Sequence, residues 1–189
     1  MSQDSKAPGP VQQGSVTGYA ANALRKFLEA LFPDVEVIYA QENNVPIPLG
    51  NFIMLNTVGM ITPSTNRRTW KGDQLVEIWA PYEAAIQVDI FGPDGTVLAA
   101  RFRALWFDSY AYDWFKENDG VCFPLYSGEA SQSPFVDESF NFEQRWTFTA
   151  YLQVNQTIVL PQQTATKPGV VGFVEIDTGL TQSSTGENE

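Results

Sequence analysis

Residues 138–160, ESFNFEQRWTFTAYLQVNQTIVL, alternate apolar and polar side chains over most of their length. Phe142, Trp146, Phe148, Ala150, Leu152 and Val154 point one way, and Glu143, Arg145, Thr147, Thr149, Tyr151, Gln153 and Asn155 point the other. Successive side chains on a strand face opposite sides of a sheet, so the stretch predicts one half-buried β-strand from Glu138 to Leu160. At about 3.3 Å per residue, the run from Phe142 to Asn155 alone spans roughly 45 Å, against a usual strand of ~17–20 Å. Such length predicts a strand that overshoots its own sheet and offers backbone to a neighbour. The strand itself carries no catalytic group.

Working outward, Ala20, Ala23, Leu24, Phe27, Leu28 and Leu31 form a single apolar stripe at helical spacing, with Thr17 as the expected N-cap and Pro33 as the stop. VEVIYA (35–40) reads as a short strand, QENNVPIPLG (41–50) as a loop, and NFIMLNTVGMIT (51–62) as a strand with a bulge at Gly59. PSTNRRTWKGD (63–73) reads as a polar turn or extended loop. QLVEIWA (74–80) and AAIQVDIFG (84–91) read as two strands interrupted by Pro81, which lacks a ladder donor. Gly92-Pro93-Asp94-Gly95 supplies a turn, with Asp94 the N-cap of a helix over about 95–107 that carries Leu98, Phe102, Leu105 and Trp106. A second helical piece holds Phe107, Tyr110, Ala111, Trp114 and Phe115 and ends at Asn118-Asp119-Gly120. VCFPLYSG is a short strand, and VVGFVEID (170–177) is expected as the last one. Helices and strands intermix without a βαβ repeat. The fold class expected is therefore α+β, a largely antiparallel sheet with one long strand at about 140–160, packed by an N-terminal helix and a central helix pair.

The division expected is a flexible N-terminal arm (1–16), a single α+β domain (17–177) and a flexible acidic C-terminal tail (178–189), both ends being too polar to offset their ordering entropy. The charge balance is 11 Lys+Arg against 22 Asp+Glu, a net −11. Nucleic-acid binding rests on cations that neutralise phosphates, so a sequence-specific DNA or RNA binder is disfavoured, as is attachment to an anionic membrane. The same balance suits a surface past which DNA slides without sticking. No apolar leader and no membrane span is read.

Histidine is absent, which removes the commonest general base, the commonest metal ligand and the Ser-His and Cys-His pairs together. The single cysteine, Cys122, lies in an apolar run and reads as a buried structural thiol. Asp108/Asp113, Asp137/Glu138 and Asp89/Asp94 are the carboxylate pairs from which a hydrolase or a metal site would be built, but neither is required, because loops and helix termini normally carry Asp and Glu as caps and solvated faces. No catalytic residue, cofactor or metal site is assigned. The aromatic cluster Trp106, Phe107, Tyr110, Tyr112, Trp114 and Phe115 is core or interface first, and a stacking platform for a glycan or another ligand second. Arg67 and Arg68 suit an acidic partner surface, and Arg145 suits a carboxylate on an adjacent strand or subunit.

The stretch 122–163 resembles the neck terminator proteins of tailed bacteriophages. The matching positions are Leu125-Tyr126, Glu129, Gln132, Pro134-Phe135, Glu143, Arg145-Trp146, Leu152-Gln153, Asn155 and Pro161-Gln162-Gln163, joined by the strand-to-helix junction at 87–100 that opens QVDIFGPDG. The resemblance extends over roughly residues 18–177. It implies a structural virion protein, not an enzyme, assembled in the host cytoplasm and resident in the neck. Copies would form a ring, a hexamer, that closes the head-proximal end of the tail tube and joins it to the head connector, with DNA passing through the lumen. The implied partners are further copies of the chain, the tail tube and sheath proteins and the head–tail connector proteins. Arg67, Arg68, Phe135, Asp137, Arg145 and Tyr151 are the expected subunit-interface residues, on loops 63–73 and 127–139 and on the long strand. The alternative is a non-catalytic binding module of a virion that recognises a glycan or another ligand through exposed aromatics.

Overall fold

A computed structural model describes residues 15–41, 48–72, 74–133, 135–136 and 142–162. The expected strand at 170–177 and the tail at 178–189 lie outside these residues. In chain order the elements are α1 (Val16–Leu31), β1 (Glu36–Tyr39), β2 (Phe52–Ile61), β3 (Arg67–Gly72), β4 (Leu75–Phe91), α2 (Gly95–Trp106), α3 (Ser109–Asn118), β5 (Cys122–Ser127), β6 (Ser131–Gln132), β7 (Phe135–Val136), β8 (Phe142–Glu143) and β9 (Arg145–Pro161). A seven-stranded sheet runs β1-β2-β4-β9-β5, with β3 added beside β4 and β6 beside β9. Only β1 and β2 pair in parallel there; the remaining pairs are antiparallel. The class is α+β, as expected.

The long strand differs from expectation at both ends. It runs from Arg145 to Pro161, and Phe142–Glu143 pair instead with Phe135–Val136 in a separate two-stranded sheet. It does not overshoot its sheet, because β4 matches it along its whole length, from Leu75↔Pro161 to Phe91↔Arg145 without a register shift. The two strands predicted at 74–80 and 84–91 are thus one. Pro81 is accommodated for a specific reason. It pairs with Asn155, whose N–H donates away from β4 to the Val121 carbonyl (3.0 Å). The Pro81–Asn155 pair is therefore a non-hydrogen-bonded one, and the missing Pro81 donor points to the opposite edge of β4. On that edge β2 ends at Ile61↔Glu83 and β3 begins at Arg67↔Trp79, so proline sits at the gap between two partners.

The segment 63–73 is likewise more ordered than predicted, since Arg67–Gly72 form a hairpin strand on β4. The turn is set by Gly72 (φ 79°) and Gln74 (φ 61°). The bulge expected at Gly59 is present, with Val58 the extra residue between Thr57↔Ile86 and Gly59↔Ala85.

The helices cover one face of the sheet. The predicted stripe of α1 is buried at every position, from Ala20 to Leu31. It packs on Val37, Ile53, Leu55, Ile86, Val88, Ile90, Ala150, Leu152 and Val154. Fully burying a side chain such as Leu or Phe contributes about 1.5–3 kcal/mol, so this interface is the main stabilising term of the domain. The N-cap is Ser15, not Thr17: the Ser15 Oγ accepts from the Gly18 N–H and is bonded to the Thr17 hydroxyl at 2.7 Å. Phe27 sits at the middle of an aromatic cluster, its ring centroid 5.8 Å from Trp106, 5.2 Å from Trp114 and 5.3 Å from Phe115.

The β4–α2 turn is anchored by Asn51. Its Nδ2 donates to the Asp94 carboxylate (2.7 Å) and its Oδ1 accepts from the Asp94 N–H (3.1 Å). Asp94 occupies the predicted N-cap position of α2, but its carboxylate is spent on Asn51 and makes no cap bond. Gly92, at φ 103°, lies against the same corner, where a Cβ would sit 2.8 Å from the Gly50 carbonyl oxygen.

Candidate assembly surfaces

The main apolar cluster ends at Ala84 on β4 and at Val154 on β9, although Ala80 and Val76 further along β4 are also buried. Beyond these residues the two strands continue together to Leu75 and Pro161, joined by β3. From Ala80 to Leu75 this is about 20 Å of sheet. No helix has a substantial contact with β3, whose packing is on β4. The result is a three-stranded arm with both faces partly open. Trp70 and Leu160 lie on the face that continues the core side, together with half-buried Ile78 and Ile158, while Val159 lies on the other. Near its root, Val58, Met60 and Ile61 of β2 are also exposed. Isolated surface apolar residues need no explanation, but a contiguous set along one structural element marks a contact surface.

Of the interface residues expected from the sequence, Arg67 and Arg68 stand on this arm, exposed. The Arg67 guanidinium lies 5.4 Å from the centroid of Trp79, and Lys71 pairs with Glu77 at 3.1 Å. The arm is thus a cationic, aromatic feature on a chain of net charge −11.

Arg145 and Tyr151 are on the sheet face away from the helices. Arg145 makes a forked ion pair with Asp89 on β4, Nε to Oδ1 at 3.1 Å and Nη2 to Oδ2 at 3.0 Å, while Gln87 Nε2 donates to the same carboxylate at 2.8 Å. The Asp89 side chain is only 2% exposed, so the pair is a component of the subunit's own interior. Tyr151 stacks on Tyr126 (centroids 4.3 Å apart), and the Tyr126 hydroxyl donates to Glu83 at 2.9 Å. Phe135 is in β7, its backbone paired with Glu143. Asp137 lies outside the described residues. Arg67 and Arg145 face partners twelve positions apart on β4, Trp79 and Phe91, which is about 40 Å of strand. The expected set is therefore two separate surfaces.

Three of the carboxylates considered for chemistry have structural occupations. Asp108 caps α3 through the Tyr110 N–H (2.9 Å), Asp89 holds Arg145 and Asp94 holds Asn51. Asp137 and Glu138 lie outside the described residues. Asp113 lines a groove of about 370 Å³ along α3 with Asp108, Tyr110, Trp114 and Glu117. Among the described residues no three His, Cys, Asp or Glu side chains converge as metal ligands, and no helix is long and apolar enough to cross a membrane.

A second acidic junction is structural. Asp119 accepts from the Tyr19 hydroxyl (2.9 Å) and from the Val121 and Cys122 N–H groups (3.0 and 2.6 Å), tying α1 to the start of β5. Burial, reinforced by Asp119, pushes the Tyr19 hydroxyl up to about 12. Burial also pushes the Cys122 thiol up, which removes its nucleophilic character. Beside this junction a hollow of about 390 Å³ opens between Val16, Tyr19, Val121 and Val154–Thr157.

The aromatic cluster divides. Trp106 and Phe115 are buried, whereas Phe107, Tyr110 and Tyr112 are exposed. Sequence reasoning missed the arm because β3 is exposed along its length and so carries no hydrophobic alternation. The available signal was Lys-Gly-Asp-Gln between two segments containing Trp and Thr or Val, a hairpin pattern.

The family model described as Phage neck terminator protein matches residues 21–182. The chain belongs to that family. The match begins inside α1 and takes in every later element, the arm and the Arg145–Asp89 pair included. The neck terminator family is one of structural virion proteins, which places the chain in the phage neck. No curated protein matches the sequence.

Proposed function

We propose that this chain is the repeating subunit of a closed ring, a hexamer, at the head-proximal end of a phage tail. The ring terminates the tail tube, joins it to the head connector and lets DNA pass through its lumen, and it assembles in the host cytoplasm before becoming part of the virion. The observation that carries this reading is the family match over residues 21–182.

Three physical features support it. The arm exposes apolar and cationic surface well away from the core, as a subunit that contacts neighbours requires. The net charge of −11 suits a lumen that does not hold DNA, because like charge repels phosphate. Three of the carboxylates closest to a catalytic pattern, Asp108, Asp89 and Asp94, are engaged in a cap, an ion pair and the Asn51 contact, which favours a structural role over an enzymatic one. Each subunit would contact the next through different surfaces on its two sides, a heterologous contact whose rotation closes. The ring would meet tail tube protein on one face and connector proteins on the other, with sheath protein as a further neighbour.

Light scattering coupled to size exclusion tests the reading, on the full chain alone and with tail tube protein. The expected result is a discrete oligomer of fixed subunit number. A chain that stays monomeric at every concentration, and stays so with tube protein, would overturn the ring.

The alternative, glycan recognition by exposed aromatics, loses Trp106 and Phe115 to the core and keeps Phe107, Tyr110 and Tyr112. These three also suit a protein contact.

A further inference from the structure

We propose that the three-stranded arm is the grip by which one copy holds the next, and that its seat is the outer groove of α3 on a second copy of the chain. The inference rests on the ring reading above and names the contact that would build it.

Two surfaces on the molecule are complementary in charge and alike in apolar character. The arm presents Arg68 and Trp70 on one face and Arg67 on the other, with Ile61 and Met60 at its root. The groove presents Asp113 and Glu117, one turn apart on α3, and Asp108 at the helix start. Tyr110 lies in the same groove, and Tyr112 and Phe107 are exposed nearby. No ion pair involves Arg68, Asp113 or Glu117 among the described residues, whereas Arg25, Lys71, Arg103 and Arg145 are all paired within the subunit. Among the described residues, Arg67 and Arg68 thus form a pair of adjacent cations without an ion pair on the arm, as Lys26, Arg101 and Lys116 are singly elsewhere, and Asp113 and Glu117 in the groove are carboxylates without one.

The placement also suits a chain of contacts. The arm continues β4 and β9 beyond the core, while α3 packs on α2 and β5 at the other edge of the sheet. No large packing contact joins the arm to α3 within one subunit. A contact between the two therefore links separate copies head to tail, the kind that closes a ring. Arginine stacks on aromatic faces as well as pairing with carboxylates. A groove lined by Asp113, Glu117 and Tyr110 therefore offers both interactions to Arg68, which shares a face of the arm with Trp70, while Arg67 on the opposite face adds to the local positive charge. Charges at such a contact act mainly on specificity and rate, with apolar burial of Trp70 supplying affinity.

The test is a charge swap in the full chain, read by light scattering over a concentration series. R67E/R68E alone and D113K/E117K alone should each raise the concentration needed for assembly by roughly tenfold or more, because each sets like charges against each other at a contact. Combining the four substitutions should restore assembly toward that of the unsubstituted chain. W70A should weaken assembly without lowering the melting temperature. If a reversal lowers the melting temperature, the neutral pair R67Q/R68Q carries the test, with the same direction expected. Assembly unchanged in both reversed variants would overturn the inference while leaving the ring intact. So would loss of assembly that the combined variant fails to restore. A chain that never assembles at all would instead remove the ring reading itself.

Discussion

At the residue scale, the most consequential polar contact is Arg145 with Asp89. The carboxylate is buried, receives two bonds from the guanidinium and one from Gln87, and sits where water cannot replace a lost partner. Removing one member of a buried pair leaves an uncompensated charge. Arg145→Met should lower unfolding stability by about 3 kcal/mol, the low end of the usual range because Arg145 keeps partial contact with solvent. Urea denaturation measures this, and the double variant R145M/D89N should recover part of the loss. The need of Arg145 for a carboxylate was legible in its place on the polar face of an alternating strand. Its partner was not, since Asp89 lies 56 positions earlier and becomes a neighbour only through the β4–β9 register. Tyr19 gives a second residue-scale prediction. Its folded value, about 12, lies above the ordinary 10, so the folded state holds the proton more tightly than the unfolded one. Its contribution is fully present below pH 10 and is lost as pH rises toward about 12. Stability of the unsubstituted chain should therefore fall across that window, and Tyr19→Phe should flatten the fall when thermal melts are compared at each pH.

At the scale of elements, local pattern was a reliable guide wherever one face is buried and the other wet. The α1 stripe was readable in full because a helix against a sheet needs apolar residues every three or four positions, and Phe27 within it organises the aromatic cluster. Phe27→Ala should cost about 3–5 kcal/mol, by lost transfer energy plus the cavity left among Phe102, Trp106, Trp114 and Phe115. Calorimetry on the variant gives the value, and a loss under 1 kcal/mol would mean that the cluster closes around the gap. Sequence failed on β3 and at Pro81 for one shared reason. Both depend on which strand lies on the far edge of β4, and register between distant segments leaves no local trace. A proline at the gap between β2 and β3 costs no ladder bond, although the same residue opposite either strand would. The long strand was found, but its length was misread as surplus because its equally long partner had been split at that proline.

For the whole molecule, charge and shape point the same way. A subunit of net charge −11 carries two adjacent exposed arginines, Arg67 and Arg68, on an arm that extends past the core, and the carboxylates Asp113 and Glu117, without an ion pair among the described residues, along α3 at the other side of the sheet. Such a charge distribution gives copies an orientation before they touch and makes assembly sensitive to salt, since exposed charges are screened within about 10 Å at 0.1 M ionic strength. The candidate surface was only partly legible in sequence. Arg67 and Arg68 could be singled out as a basic pair, but their presentation on a projecting hairpin could not. The exposed apolar residues around them were indistinguishable from core residues until the sheet was seen to outrun its helices. The central claim is that this chain closes a phage tail tube as a ring. Electron microscopy of polymerising tail tube protein, with and without the full chain, tests it most directly. The account predicts a ring of density at one end only of each tube and growth that stops when the ring is added. Tubes that lengthen equally in its presence, with bare ends, would contradict it.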